Sequence, residues 1–504
     1  MSEQEIRPRG KKQLFIDDFG VERIANLARK LHQPARFTGH AVLRPEHRWE
    51  NCGIQIRTIP AWDPQEQLFK MIYLASAEGL DPEVKLDPTG APAGGESFYC
   101  YATSTDGIHW EKPALGLHDY PVPLWNGVPI GGKNNILPSA KGLLLGPVHD
   151  PHETDPSRRF KGLAYRGGSL EPLVSPDARH WENPGLGPLS SADESHLTLD
   201  EERRLFIATV KHGGPYGRSF FLTTSEDFST WTDQELVFHA DQIDQENGNE
   251  RLQRFFDDPA LLTPVYHRPE EWRTDVYNFP VFSYEGLYLA LPVMHHWSAK
   301  HPPMYENVDS RKTVELASSR DLRHWERVAG RAPFIEQAPP GQIAAYDTGQ
   351  LVTTNGPVVR NRELWFYYVG LKYRCLSLED TRQRKYLDSS AVCMARLRLD
   401  GFVSLKGGIE WGSVLTKPLA VEGRELRLNV DAWRGQVKVE ILESEEERVL
   451  PGFGLEDCLP LSIDSIDEPV RWRDGRDLSA LHGRSVRLRF SILRGELYAY
   501  WFAG

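Results

Sequence analysis

Short runs rich in apolar and aromatic residues recur along this chain, and polar, turn-forming stretches separate them. Four of these runs are SFYCYATS (from Ser97), LEPLVS (from Leu170), SFFLTTS (from Ser219) and TVELASS (from Thr313). Such runs predict β-strands. Each leads into the same phrase, Ser-x-Asp-x-x-x-Trp: Ser104/Asp106/Trp110, Ser175/Asp177/Trp181, Ser225/Asp227/Trp231 and Ser319/Asp321/Trp325. The Asp suits a tight turn, because its carboxylate can accept backbone N–H groups just ahead of it. The Trp that follows can fold its ring over the hairpin.

A second punctuation precedes these runs. WDPQEQLFKMIYLA (from Trp62), TDPSRRFKGLAY (from Thr154) and LDEERRLFIATV (from Leu199) each read as a polar turn and then a strand containing Phe. NFPVFSYEGLYLALPV and GPVVRNRELWFYYVG are shortened versions. Each unit thus reads as strand A, turn, strand B, loop, strand C, Ser-x-Asp turn, strand D. Four antiparallel strands repeated around an axis make a propeller. The units run at about 44–125, 126–190, 191–250, 251–335 and 340–405. The fifth replaces the phrase with ARLRLDGFVSL, placing Asp400 at the corresponding turn.

From Leu415 the pattern becomes simple alternation, as in RELRLNVDAW and GQVKVEILE, which predicts a β-sandwich. The predicted fold is all-β: a five-bladed propeller over 44–405, a small β-sandwich over 406–504, and a segment 1–43 packing on the propeller.

Composition narrows the function. The chain has 504 residues, 40% hydrophobic and 26% charged, as in a soluble globular protein. A net charge of −12 argues against nucleic acid as a partner. The sequence predicts no membrane span, because no stretch approaches the apolar length required. MSEQEIRPRGKKQLF has no apolar signal core. The expectation is a cytoplasmic protein, or a secreted or periplasmic one whose signal peptide has been removed. Cys52, Cys100, Cys375, Cys393 and Cys458 are widely spaced, with no C-x-x-C, which argues against a zinc site or a disulfide framework. No nucleotide-binding fingerprint occurs, and no cofactor or metal is expected.

Five blades followed by a sandwich resemble the invertase/levanase-like and arabinanase-like glycoside hydrolases of families 32, 43 and 68. YATSTDGIHWEKPALGL and ASSRDLRHWERV look like their blade-closing strands, and DGFVSL…LTKPL…LRLNVDA looks like the appended sandwich. The W-M-N-D-P-N-G and R-D-P motifs of those enzymes are absent, so the resemblance does not extend to a substrate.

The resemblance implies carboxylates at the starts of the inner A strands. Here those positions hold Glu50 in the first unit, Asp193 and Glu194 in the third, Asp275 in the fourth and Asp347 in the fifth. The second unit offers no acid. Glycosidic cleavage needs one protonated carboxyl and one ionised one, and crowding acids together pushes their affinities for protons apart. By position Glu194 resembles the general acid and Glu50 the nucleophile or base, with Asp193 or Asp347 as substitutes for the missing acid.

The ends of the B strands should surround the same mouth with cations and hydrogen-bond donors: Arg166, Lys211, His212, His295, His296, Lys372 and Arg374. Asp18 (with Asp17) and His32 are further candidate substrate ligands, and Trp125, Trp297 and Tyr373 are candidate stacking platforms. The implied function is a glycoside hydrolase acting on an oligo- or polysaccharide, with an acidic or sulfated sugar among the options. The alternatives are a non-catalytic carbohydrate-binding propeller and a glycoside phosphorylase or transglycosylase.

Overall fold

The computed structural model describes residues 5–78, 85–86, 92–93, 96–123, 129–138, 143–193, 195–300, 308–339 and 345–504. Five antiparallel sheet units follow one another along the chain. The first has a split inner strand, Gly53–Gln55 and Ala61–Asp63, both pairing with Leu68–Ala77, which in turn pairs with Glu96–Ser104. The second runs Leu143–His149, Phe160–Arg166, Ser169–Ser175, Leu189–Ser190. The third runs His196–Asp200, Leu205–Gly214, Gly217–Ser225, Glu235–Phe238. The fourth is broken by bulges into an upper sheet, Arg273–Asn278, Val293–Lys300 and Val308–Val314, and a lower one ending at Glu326–Arg327. The fifth comprises Gln350–Arg360, Glu363–Leu371 and Ser390–Arg398.

The fourth strand of the fifth blade comes from the other end of the chain. Ala35–Leu43 pairs with Ser390–Arg398, so an N-terminal strand closes the ring. Apolar clusters seal each junction between blades. Tyr99 and Tyr101 meet Leu144 and Phe160 between blades one and two. Leu163 and Leu170 meet Leu197 and Phe206 between two and three. Phe220 meets Val276 and Phe279 between three and four. Phe282 and Leu289 meet Leu351 and Phe366 between four and five. Trp365 and Tyr367 meet Met71 and Tyr73, returning from five to one. Five junctions around five blades define a closed propeller.

The repeated phrase builds the same turn four times. In the first copy the Asp106 Oδ1 accepts from the backbone N–H groups of Ile108 and His109, both at 2.8 Å, and from Ser104 Oγ at 3.0 Å. His109 Nδ1 sits 2.7 Å from Asp106 Oδ2. Asp177 and Asp321 repeat this with His180 and His324, while Thr230 replaces the histidine beside Asp227. The residue after each Asp takes a positive φ: Gly107 (80°), Ala178 (66°), Phe228 (61°) and Leu322 (68°). In three copies the Trp indole N–H donates to that residue's carbonyl, at 3.2, 3.0 and 2.9 Å. These bonds hold the carboxyl groups below their usual range: burial opposes ionisation, but the donors at each turn outweigh it, and Asp177 lies at about 2.

The segment 1–43 does not lie on the propeller as a unit. Gln13–Leu14, Val21–Ala25 and Leu27–Leu31 are strands of the C-terminal sandwich, pairing with Glu496–Ala503, Gly412–Thr416 and Val403–Gly407 respectively. Among the described residues, Ala35–Leu43 is the strand of this segment that pairs with a propeller strand. Val403–Gly407, which straddles the expected boundary at 405, belongs to a sandwich sheet. Leu14, Ile16, Phe402 and Ala499 dock the sandwich onto blades four and five through a shared apolar cluster. All five cysteines are buried free thiols.

Candidate functional site

The inner strands start at one end of the axis and finish at the other. The starting end is where the sequence places its carboxylates. The upper sheet of blade four supplies the largest share of the groups gathered there. Asp275, His295 and Lys312 are directly opposed across three adjacent strands, so their side chains share one face. Period-two alternation adds Tyr277 and Ser310 to the same face. It also sends the neighbouring His296 to the other face.

On this face Asp275 and His295 are 1% and 0% exposed. His295 Nδ1 lies 3.0 Å from Asp275 Oδ1 and donates to it. Its Nε2 is then the acceptor for Ser310 Oγ, at 2.7 Å. Gln350 Nε2 of blade five donates to the same Ser310 oxygen at 2.8 Å. From blade three, Arg218 Nη1 donates to Asp275 Oδ2 at 2.8 Å. Burial alone would raise the Asp275 carboxyl, but the His295 bond and the nearby positive charge overcome it and hold it at about 2. Burial pushes His295 down to about 3 despite Asp275, so the imidazole is neutral at neutral pH.

Gly217 makes this junction possible. Its φ is +104°, and a Cβ there would stand 3.1 Å from Asp275 Oδ2. The strand of blade three can therefore pass directly over the carboxylate.

Beside the Asp275–His295 pair stands the part-buried Tyr277. Lys312 Nζ is 3.2 Å from the centre of its ring, and Lys211 Nζ is 4.7 Å away. Lys211 also donates to Asp193 Oδ2 at 2.9 Å. Lys211 is 2% exposed and Asp193 is 44% exposed, so the pair presents a solvent-facing carboxylate on a buried ammonium. Deeper on the axis, Asn278 Nδ2 lies 2.8 Å from His196 Nε2. Burial and the charges of Lys211 and Arg57 hold His196 well below its usual range.

Of the sequence-predicted residues, Asp193, Lys211, Asp275 and His295 come together here, and Glu194 and Trp125 lie outside the described residues. Glu50 is fully buried in a short 3-10 turn. Its carboxylate takes Lys112 at 2.7 Å, Tyr73 Oη at 2.5 Å and the backbone N–H groups of Glu46 and His47. Fully buried and held by these four donors, it anchors the turn. Asp347 is buried against Arg36 (2.8 Å) and Tyr368 Oη (2.9 Å), at the edge closed by the N-terminal strand.

Several ligand candidates point elsewhere. His296 lies under the helix Gln242–Asp257, 2.9 Å from Thr274 Oγ1. His212 alternates outward to Gln234 (2.8 Å). Arg166 pairs with Glu171 and Lys372 with Asp388, each at 2.8 Å. Asp17 pairs with Arg320 of the blade-four turn, and Asp18 with Arg29. His32 contacts Glu496 (3.0 Å) and Ser404 (2.9 Å) in the sandwich. Asp18 and His32 therefore belong to the sandwich and its junction, because their segment pairs there. Trp297, opposite Ser310 and two residues from His295, does share the mouth face but is 7% exposed beneath Arg273, whereas Tyr373 packs with Cys52 and Tyr386.

The sequence reading missed Arg57, His196, Arg218, Tyr277, Asn278, Ser310, Lys312 and Gln350. The signal for several was available: Arg218, Ser310 and Lys312 lie at the starts of C strands, which share this end of the axis. At the entrance to blade two the structure has amides instead of acids. Asn135 there accepts from Trp49 Nε1 at 3.1 Å and donates to Tyr73 Oη at 2.6 Å.

No family model matches the chain, and a search of curated proteins finds no match. Among solved structures, one titled a glycoside hydrolase is similar at 13% identity and a TM-score of 0.39, over 73% of this chain and 92% of that one. A structure described under the GH130 family of mannoside phosphorylases, as containing hydrolases of β-1,2 mannosidic linkages, shares 15% identity at a TM-score of 0.36, over 73% and 94% of the two chains. The Bombyx mori GH32 β-fructofuranosidase BmSUC1 shares 9% identity at a TM-score of 0.37, over 91% and 93%.

Proposed function

We propose that this protein is a carbohydrate-active enzyme that cleaves a glycosidic bond at the mouth where the inner strands begin. The observation that carries the reading is the Asp193–Lys211 pair beside Tyr277. A sugar presents hydroxyl groups around an apolar ring face. Tyr277 offers a ring, Asp193 accepts hydroxyl protons, and Lys211, Lys312 and Arg218 donate. Asp193, partly exposed and hydrogen-bonded to the buried Lys211, suits a base or nucleophile. Glu194, its neighbour in the chain, is our candidate general acid on sequence grounds. Asp275 is sealed off by His295 and Arg218, which suits a positioning role.

A panel of aryl glycosides and oligosaccharides, assayed with and without inorganic phosphate, tests the reading and separates hydrolysis from phosphorolysis. Turnover by the native protein that falls 10²–10⁴-fold in Asp193→Asn and Glu194→Gln is the supporting result, the scale expected for loss of acid–base help.

A non-catalytic carbohydrate binder is the second reading. It is favoured by the sequestration of Glu50, Asp347 and Asp275, three of the five acids expected to ring the mouth. A binder would show affinity without turnover in the native protein and would keep that affinity in both amide variants.

A further inference from the structure

The opposite end of the propeller axis opens into a cavity of about 690 Å³, to which all five blades contribute. This volume lies within the roughly 300–1,000 Å³ typical of small-ligand sites. The cavity is separate from the mouth. Along the inner strand His196–Asp200, His196 belongs to the mouth and Asp200 to the cavity, and four residues of strand span about 13 Å.

The two walls differ in chemistry. Blades one and five provide an apolar wall containing Trp62, Phe69 and Val359. Trp62 is half-buried and braced edge-on by Phe69, with ring centres 4.8 Å apart, while Val359 is 58% exposed. Blades three and four provide a polar wall including Glu202, Arg203 and Glu285, with His149 from blade two between the walls. The charges on the polar wall are already engaged: Glu202 with Lys11 at 2.8 Å, and Arg203 with Asp200 at 2.9 Å. Lys12 donates its backbone N–H to Glu285 at 3.0 Å.

We propose that this cavity is a second ligand site, for a neutral sugar unit of an oligosaccharide, with Trp62 as its stacking platform. An aromatic wall facing fixed donors and acceptors matches the two sides of a sugar ring. An anion is disfavoured, because Asp200, Glu201, Glu202 and Glu285 outnumber Lys11 and Arg203 in the lining. The site stands apart from the catalytic proposal, since none of its residues belongs to the mouth.

Isothermal titration with neutral tetrasaccharides of glucose, mannose, xylose, arabinose and fructose tests this. The native protein, Trp62→Ala, Val359→Glu and the mouth variant Lys211→Met are compared. Val359 is exposed on its strand, so Val359→Glu preserves the fold even where Trp62→Ala does not. The proposal expects at least one tetrasaccharide whose affinity falls tenfold or more in the Trp62 and Val359 variants and is unchanged in Lys211→Met. It is overturned if none of the five binds, or if binding is lost in Lys211→Met and untouched in Val359→Glu.

Discussion

Asp275 and His295 face each other across adjacent strands, 3.0 Å apart and shut away from solvent, with the carboxylate ionised and the imidazole neutral. This pairing ties the mouth to acid stability. An unfolded histidine titrates near 6.5, whereas folded His295 titrates at about 3. Between those values the unfolded chain binds the extra proton, so stability falls as pH drops from about 6.5 toward 3. The slope is about 1.4 kcal/mol per pH unit for each such histidine. Asp275 adds a loss only at lower pH, as acidification passes from about 4 to about 2. Urea midpoints measured from pH 7 to 4 should decline, and His295→Gln should flatten the decline.

Arg218 donates to Asp275 Oδ2 from its guanidinium at 2.8 Å and from its backbone N–H at 3.4 Å. Arg218→Ala strips a buried carboxylate of its ion pair, a loss of about 3–5 kcal/mol for such sites. The double variant Arg218→Ala/Asp275→Asn should recover much of that loss. Chemical denaturation of the two variants and the native protein makes the comparison.

Gly217 and Gly107 test close approach in two different places. At Gly217 an added Cβ presses on Asp275. Gly217→Ala should therefore perturb the mouth, reducing turnover or sugar affinity more than it lowers the melting temperature. At Gly107 the Cβ would stand 2.8 Å from Tyr367 Oη, at a φ of +80°. Gly107→Ala should destabilise by about 1–3 kcal/mol and leave the chemistry of the mouth intact. Ala178 occupies the equivalent turn position at φ +66°. Ala178→Gly relieves left-handed strain of about 1–2 kcal/mol, offset by the greater freedom of glycine in the unfolded chain.

Lys211 is buried between Asp193 and the Tyr277 ring. Lys211→Met keeps the length of the side chain and removes its charge. It should weaken sugar binding at the mouth at least tenfold, while Lys211→Arg retains part of it. Equilibrium titration of both variants with the best ligand of the glycoside panel reads the difference.

The architecture was legible because it is repeated. Four copies of Ser-x-Asp-x-x-x-Trp carry their own hydrogen-bond logic, and the turns they form are local. Alternation likewise marked the strands and put Asp193, Lys211, Asp275 and His295 near one end of the axis. What local pattern cannot supply is the partner of each side chain. Glu50 sits at the right place in the order of strands, but Lys112 and Tyr73, distant in sequence, turn it into a buried anchor. Asp347 is taken by Arg36, more than three hundred positions away. His32 and Asp18 were misplaced because the short strands Gln13–Leu14, Val21–Ala25 and Leu27–Leu31 pair with sandwich strands from the far end of the chain. The split between His295 and His296 was available from period two alone, since neighbouring strand residues point to opposite faces.

The central claim is that sugar is bound and processed beside Tyr277, at the end of the axis where the inner strands begin. A crystal structure of Asp193→Asn soaked with the best oligosaccharide from the glycoside panel tests it most directly. The account predicts a sugar ring over Tyr277, within hydrogen-bonding distance of Lys211 and residue 193. Sugar density confined to the Trp62 end of the axis, with the mouth holding only solvent, would contradict it.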